Sequence, residues 1–322
     1  MQASWQGTGA GDAPSTPFAR LAGFGPLAGV QVALLLVMTG SLATRLWVDH
    51  LWVSAALVAV TVVAWAPELT RRRARRWWFV YVTGIFVYTV LRSFADETAI
   101  PVRTDYVIEA DQAVFSGTDP VLWLQRELFT PWRIDFLDVA AVAVHWSFFI
   151  APHAAAIGIF VWRRELFPRF TVAVVGTMYV ALVLFFLVPT APPWLAGNTG
   201  DLPGALRVMD FVGGQVDGET YRNVYSSLGE PNSVAAMPSL HMGITFLLFL
   251  WAFDHFRPLS PLLLVYSLLM GLSLMYLAEH YLLDLVVGSV CAVLCYQAAK
   301  RWVPVYENWR PRRRTGFRQP TA

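Results

Sequence analysis

Long apolar runs separated by short polar stretches dominate the chain and predict helices that cross a membrane. A helix needs roughly 20 apolar residues to span the hydrocarbon core of a bilayer. Eight runs approach that length, at about 26–48, 50–66, 77–93, 137–162, 170–189, 239–256, 259–277 and 281–299. The pattern predicts an all-α, polytopic membrane protein with about eight transmembrane helices.

The composition agrees with a membrane protein. Hydrophobic residues make up 56% of the 322 residues and charged residues only 14%, with a mean hydropathy of +0.50. The net charge of +2 gives no basic footprint of the kind that binds nucleic acid, so we expect no nucleic-acid partner. Cys291 and Cys295 lie four positions apart in one apolar run, where a disulfide is awkward, and are interpreted as packing residues.

The basic residues are unevenly distributed and predict the orientation of the chain. Of the 24 Lys and Arg residues, 23 are Arg, a bias that suits a bacterial source. In the eight-helix topology they cluster on one side, at 71–76, 163–169, 257 and 300–318. The opposite loops, 94–136 and 190–238, are rich in Asp and Glu. The positive-inside rule then predicts a plasma-membrane (inner-membrane) protein with both termini cytoplasmic and the acidic loops extracytoplasmic.

Two histidines and an aspartate are predicted to meet at the extracytoplasmic side. His241 begins one apolar run, and two spans of about 28 Å each return the chain to the same face at His280. Asp284 lies four positions after His280 and therefore on the same helical face. A carboxylate that accepts one imidazole N–H fixes the tautomer whose other nitrogen attacks phosphorus, and a second histidine can protonate the leaving oxygen.

Other interpretations of these residues stay open at this stage. A single histidine at a membrane interface is commonly a boundary residue, and two histidines with an aspartate can bind zinc. No further ligand or metal motif is recognisable, so we expect no metal. A transporter or lipid-binding protein would also suit intramembrane histidines, although no inverted repeat is evident. His145 is close enough to the outer face to reach the same cavity, but a hydrogen-bonded interhelical histidine is the favoured interpretation.

Several motifs resemble a known family. PSLH (238–241) and SLMYLAEHYLLD (273–284) resemble the second and third signature motifs of the type 2 phosphatidic acid phosphatase (PAP2) superfamily, membrane enzymes that cleave lipid phosphate esters. The inositol-phosphorylceramide-synthase-like branch of that superfamily is the more particular resemblance. It is carried by PTAPPWL (189–195), NSVAAMPSLHMG (232–243), EHYLLDLVVG (279–288) and the outer-loop stretch ADQAVFSGTDPVLWLQ (110–125).

The resemblance implies a division of the chain and a set of site residues. It implies a six-helix PAP2-like catalytic membrane domain at 77–300, between two additional helices with a basic cytoplasmic loop (26–76) and a basic cytoplasmic tail (301–322). Residues 1–25 are expected to form a disordered N-terminal tail. The family's phosphohistidine nucleophile falls on His280, its orienting aspartate on Asp284 and its proton donor on His241. Ser239 matches the serine beside the proton donor, and no cofactor is implied.

The chain lacks the basic residues of the superfamily's motifs. The first motif, a Lys followed after six residues by Arg-Pro, is replaced by PTAPPW, and the Ser-Arg of the third motif reads Ser273-Leu274. A phosphoryl-transfer site must neutralise several oxygens, so other groups must supply charge. The candidates are Arg222, Arg126, Arg103 and Arg92, with Asn232 and Tyr281 as neutral hydrogen-bonding groups.

We therefore expect an integral-membrane lipid phosphatase or phosphotransferase that acts on a phospholipid or polyprenyl phosphate at the extracytoplasmic face. Transfer of a phosphoinositol or other phosphoryl headgroup to a lipid or sugar hydroxyl is one alternative, and the missing cations favour a diester substrate. A non-catalytic lipid-binding protein or transporter with the same fold is the other alternative. The partners expected are the bilayer and the lipid substrate.

Overall fold

The structure, a computed structural model, describes residues 26–44, 51–69, 75–95, 99–131, 133–215 and 234–309. Regular structure in these ranges is helical. The helices are α1 (Pro26–Thr44), α2 (Leu51–Leu69), α3 (Arg75–Arg92), α4 (Asp105–Val114), α5 (Pro120–Leu128), α6 (Phe136–Ser147), α7 (Ala151–Trp162), α8 (Phe167–Leu187), α9 (Pro193–Thr199), α10 (Leu240–His255), α11 (Ser260–Tyr276) and α12 (Leu282–Trp309). A further helical segment covers 208–215.

Each of the eight predicted apolar runs coincides with a helix or a pair of helices, so the predicted all-helical, polytopic fold is confirmed. By length and composition, three described helical segments can cross a membrane alone: Arg164–Leu187, Arg257–Tyr276 and Leu282–Pro304. The α6–α7 pair adds a fourth if it forms one span. Shorter apolar helices lie in the remaining runs, and the count of eight spans stays a prediction.

The fourth predicted span is not one continuous helix. α6 and α7 are separate helices bent by 45° at the break between them. Pro152, in the first turn of α7, has no backbone N–H with which to continue the ladder of hydrogen bonds. The N–H groups of Phe149 and Ile150 instead donate to the carbonyls of Trp146 and Ser147, three residues back. The bend places the end of α6, with His145, beside α10.

Helices α3, α7, α8, α10 and α12 enclose the main hydrophobic core. Its buried members are Trp77, Tyr81, Ala156, Ile159, Phe167, Phe170, Ala173, Val174, Ile244, Leu247, Leu248, Trp251, Ala292, Tyr296 and Ala299. α1 and α2 lie outside this core, and Met38 of α1 packs against Phe86 and Val90 of α3. The two additional helices are thus attached to the core through α3.

Short helices cover the end of the bundle where α11 ends and α12 begins, here called the site end. Asp111 of α4 accepts hydrogen bonds from the backbone N–H groups of Leu282 and Leu283, at 2.7 and 3.0 Å, and so caps α12. Gln125 of α5 donates to the carbonyl of Tyr276 at the end of α11. The N–H of Trp194 in α9 donates to the carbonyl of Ala278. These short helices therefore fix the turn that carries His280.

Basic residues lie at the opposite end of the bundle. Arg163 and Arg164 follow α7, Arg257 follows α10, and Lys300 near the end of α12 pairs with Asp254 of α10 at 2.7 Å. This separation of basic and acidic ends is the pattern on which the predicted orientation rests. The predicted tail at 1–25 and the part of the C-terminal tail after 309 lie outside the described residues.

Candidate active site

His280 and Asp284 form a buried pair at the start of α12. Nδ1 of His280 lies 3.3 Å from Oδ2 of Asp284, and their side chains are 8% and 0% exposed. The same carboxylate oxygen accepts the backbone N–H of Tyr281 at 2.9 Å, which fixes the carboxylate against the turn. A proton on Nδ1, shared with Asp284, leaves the lone pair of Nε2 directed away from the carboxylate. That is the tautomer a nucleophilic imidazole requires.

His241 meets His280 across the interface of α10 and α12. The two imidazole ring centroids are 5.7 Å apart. The N–H of Ser239 donates to the carbonyl of Asp284 at 3.0 Å, so the backbone before α10 is tied to the first turn of α12. Nε2 of His241 is buried without a hydrogen-bond partner in the described structure. The structure thus brings together His241, His280 and Asp284, whose catalytic roles remain a prediction.

Two glycines allow α10 and α12 to approach this closely. A Cβ on Gly288 would lie 2.2 Å from the carbonyl oxygen of Ser239, and one on Gly243 would lie 2.8 Å from that of Gly288. Both contacts are with backbone atoms, which cannot swing aside as a long side chain can. The approach sets the distance between the histidines, because His241 and Asp284 lie on the two helices just beyond it.

Ser239 and Tyr281, the two neutral candidates in the described residues, are fully buried. Oγ of Ser239 accepts the N–H of Met242 at 3.3 Å and caps α10. Tyr281 packs beside Val107 and Ala196, and its hydroxyl is buried without a partner among the described residues. Ser239 therefore has a structural use in addition to its predicted role. Asn232 lies outside the described residues.

His145 is a third histidine at the site. Its ring centroid lies 4.6 Å from that of His241. The ring of Phe148 also packs against His241, with their centroids 4.3 Å apart. His145 is 4% exposed, and its Nδ1 has no hydrogen-bond partner in the described part of the chain. The interhelical position agrees with the sequence interpretation, whereas the expected hydrogen bond is not present at Nδ1. His145 lies in no quoted motif. Its contact with His241 depends on the bend after α6, which the sequence does not specify.

A buried ion pair next to His280 was not found by sequence reasoning. Nε of Arg207 donates to Oε1 of Glu279 at 2.9 Å, with side chains 12% and 9% exposed. The guanidinium carbon lies 4.7 Å from the ring centroid of Trp194, and Nη1 is 3.6 Å from the exposed carboxylate of Asp210. The pair joins positions 72 residues apart, and although Glu279 lies in EHYLLDLVVG, Arg207 lies in no quoted motif, so no sequence signal identifies the pair.

The other candidate cations lie in different surroundings. Arg103 forms an exposed ion pair with Asp105 at 2.7 Å, and Arg126 is exposed on α5. Arg92, at the end of α3, interacts electrostatically with His241. Arg222 lies outside the described residues. Among the predicted cations described, Arg92 is thus the one with an interaction at the histidines.

Carboxylates dominate the short helices over the site. Burial raises the pKa of Asp111 to about 6, although the hydrogen bonds from Leu282 and Leu283 act in the opposite direction. Burial also raises the pKa of Asp119, whose Oδ1 accepts the N–H groups of Val121 and Leu122 at the start of α5. Within the described ranges, no three His, Cys, Asp or Glu side chains are grouped so as to hold a metal ion.

Comparisons with known proteins match the region that carries these residues. A family profile described as "PAP2 superfamily" matches residues 106–298. The inositol phosphorylceramide synthase catalytic subunit AUR1 of Saccharomyces cerevisiae is 27% identical over 232 residues, which cover 68% of this chain and 55% of that protein. The corresponding subunit of Schizosaccharomyces pombe is 30% identical over 117 residues, covering 35% of this chain and 28% of that protein.

The matched region spans about half the length of the first of these curated relatives and less of the second. No solved structure matches the chain significantly. The region that the family profile matches includes His145, Arg207, His241, His280 and Asp284. It begins after α3, so α1 and α2 lie outside it.

Proposed function

The chain belongs to the PAP2 superfamily, and we propose that it is an integral-membrane phosphotransferase or phosphatase of the inositol-phosphorylceramide-synthase-like branch, acting on lipid phosphate esters. The observation that carries the proposal is the His280–Asp284 contact of 3.3 Å with His241 on the facing helix. A carboxylate-bound imidazole and a second imidazole at a buried helix interface are the groups that phosphoryl transfer through histidine requires.

In the first step, Nε2 of His280 attacks phosphorus and the bond from phosphorus to the lipid oxygen breaks. Asp284 stabilises the positive charge that develops on the imidazole, through its contact with Nδ1. His241, protonated beforehand, transfers a proton to the departing lipid oxygen, which leaves as an alcohol. The products of this step are a neutral lipid alcohol and, on His280, a phosphoryl group from a monoester or a phosphoryl headgroup with one remaining ester bond from a diester.

In the second step, a hydroxyl compound takes the group from His280. His241, now neutral, accepts the proton of the attacking hydroxyl, and the bond between phosphorus and Nε2 of His280 breaks. Water as acceptor makes the protein a phosphatase, and a lipid or sugar hydroxyl makes it a transferase. Both curated relatives are inositol phosphorylceramide synthase subunits by name, which favours transfer of a phosphoryl headgroup.

An apolar groove beside the site supports a lipid substrate. The groove has a volume of about 610 Å³ and runs between α10, α11 and α12. It begins at Met242 and Leu282, next to His241 and Tyr281, and continues past Val286 to Leu294. Such a groove can hold a hydrocarbon chain whose phosphate lies at the histidines. A soluble phosphate ester would leave this apolar surface unused.

The acidic site end supports an extracytoplasmic site in the plasma membrane, since positively charged ends of membrane proteins remain in the cytoplasm. Cysteine labelling tests the orientation. Thr118→Cys at the site end should react with a membrane-impermeant maleimide in intact cells, and Glu165→Cys at the basic end should react only after lysis; both residues are exposed. The reverse pattern would contradict the orientation.

Release of lipid alcohol tests the activity. Purified protein in nonionic detergent should release diacylglycerol from dioleoyl phosphatidate or dioleoyl phosphatidylinositol, and His280→Ala and Asp284→Ala should lower the rate by about 1000-fold or more. Free phosphate from phosphatidate, or inositol phosphate from phosphatidylinositol, identifies water as the acceptor. Turnover that is unchanged in both variants would contradict the proposal and favour a non-catalytic lipid-binding protein or transporter.

A further inference from the structure

We propose that Arg207 is the cation that binds the substrate phosphate, and that Glu279 makes the site select phosphates with a single negative charge. This inference rests on the proposed function. It assigns a task to Arg207, which lies outside the quoted motifs, and to Glu279, to which the resemblance assigns no role. The need for such residues follows from the sequence, because PTAPPW and Ser273-Leu274 stand where the superfamily has its basic residues.

Trp194 connects Arg207 to the replaced motif. Trp194 is the last residue of PTAPPW, and the Arg207 guanidinium lies 4.7 Å from the centroid of its ring. A guanidinium held against an indole face is fixed in orientation and gains a cation–π contact. Arg207 therefore brings a positive charge to PTAPPW, a stretch that contains no basic residue. Nε1 of Trp194 is also buried without a partner in the described structure and is available to a phosphate oxygen.

Glu279 ties Arg207 to the turn that carries the nucleophile. Glu279 immediately precedes His280, and its carboxylate accepts Nε–H of Arg207 at 2.9 Å. Arg207 also interacts electrostatically with His145, which contacts His241. The guanidinium is thus tied to the turn that carries His280. Its positive charge also interacts with a histidine that contacts His241. Arginine has five N–H donors in a planar fork, a geometry suited to two phosphate oxygens at once.

The same ion pair limits the charge that the site can accept. Glu279 is 8% exposed, so its negative charge is weakly screened and offsets much of the positive charge of Arg207. Further negative charge lies close by. The carboxylates that interact electrostatically with the neighbouring Tyr281 hydroxyl are those of Asp284, Asp119, Asp111 and Asp201. A phosphomonoester carries nearly two negative charges at pH 7 and would be repelled, whereas a phosphodiester carries one.

Substitution of Glu279 gives the selective test. Dioleoyl phosphatidate, a monoester, and dioleoyl phosphatidylinositol, a diester, both release diacylglycerol, so one assay in mixed micelles compares them. Wild type should prefer the diester, and Glu279→Gln should lower the diester-to-monoester ratio of kcat/KM by about tenfold. Asp210→Asn is the matched control, since it removes the exposed partner of the same arginine, and its ratio should stay within about twofold of wild type.

Substitution of Arg207 tests the binding role. Arg207→Gln should lower kcat/KM for both lipids by about 100-fold, and Arg207→Lys, which keeps the charge but not the fork, by about tenfold. Arg133→Gln, at an exposed position before α6, should stay within about twofold. A readout without turnover is the rise in melting temperature that inorganic phosphate causes in the purified protein. It should persist in His280→Ala and be lost in Arg207→Gln and Arg207→Lys.

The outcomes separate this inference from the proposed function. Activity that depends on His280 but stays within about threefold of wild type in Arg207→Gln would overturn the binding role of Arg207 alone. An unchanged lipid ratio in folded Glu279→Gln would overturn the selectivity. Should wild type release no diacylglycerol, the proposed function fails, and phosphate stabilisation that is lost in Arg207→Lys but not in His280→Ala would still support the binding site.

Discussion

His145 and His241 lie ring to ring at the site, with their centroids 4.6 Å apart and their planes inclined by 37°. The contact joins α6 to α10 and involves two groups that can each hold a proton. Two imidazolium ions this close would repel one another, so the pair shares at most one proton at low cost. We therefore expect His145 to act on the proposed reaction through the protonation of His241.

Replacing His145 should slow chemistry and leave substrate binding unchanged. We expect His145→Phe to lower kcat by about tenfold with little change in KM, because general acid–base catalysis depends on the state of His241. Steady-state kinetics of diacylglycerol release measure both constants. His153→Phe is the matched control, since His153 contacts Tyr81 in α3 and lies away from the site, and its kinetics should equal those of wild type. Equal kinetics in both variants would contradict the role of His145.

Asp111 should give the stability of the protein a specific pH dependence. Its pKa in the fold is about 6, above the usual value of 3.8, so the folded state binds the proton more tightly than the unfolded state. Between about pH 4 and about pH 6, the contribution of Asp111 to stability must therefore fall as the pH rises. Thermal unfolding in detergent across this range should show that trend, and Asp111→Asn should reduce it. Parallel curves for the two proteins would show that Asp111 does not titrate there.

The close approach of α10 and α12 should not tolerate a methyl group. Gly288→Ala places a Cβ 2.2 Å from the Ser239 carbonyl, so the helices must separate. We expect a loss of about 1–3 kcal/mol in stability from the overpacking. The displacement of His241 from His280 should lower activity by about 100-fold. Gly40→Ala in α1, where no atom lies within 4 Å of the new Cβ, should leave melting temperature and activity unchanged. A fully active Gly288→Ala variant would contradict the assigned packing.

Filling the groove should discriminate between long and short lipids. Val286 is 50% exposed and lines the groove, so Val286→Trp should raise KM for dioleoyl substrates by about tenfold and leave dihexanoyl substrates unchanged. Leu269→Trp, on α11 at a position 46% exposed that does not line the groove, is the control. An equal effect of Val286→Trp on long and short chains would show that the hydrocarbon binds elsewhere.

The sequence predicts the helices well, because hydropathy over 20-residue runs reports the local requirement of a membrane span. It fails at the break between α6 and α7, where a proline in an apolar run can either bend a helix or end it. His280 and Asp284 were predicted as a pair from their spacing of four positions on one helical face. Their side chains do meet, although His280 lies in the turn before α12 and only Asp284 lies on the helix. His241 was predicted beside them from the length of the two intervening spans.

The Arg207–Glu279 pair and the His145–His241 contact were beyond sequence reasoning for a common reason. The Arg207–Glu279 pair joins a loop after α9 to the turn before α12, and the His145–His241 contact depends on the angle at which α6 meets α10. Neither contact has a fixed spacing along the chain. The exposed Arg103 and Arg126 seemed equal candidates in the sequence, since charge alone carries no information about burial.

Trapping of a covalent intermediate on His280 tests most directly whether His280 is the nucleophile. Purified protein is incubated with a lipid phosphate that carries ³²P, quenched and analysed by peptide mapping. We expect an acid-labile, base-stable label on the peptide that contains His280, absent in His280→Ala and reduced in Asp284→Asn. Label that persists at full level in folded His280→Ala would contradict the assignment of His280 as the nucleophile.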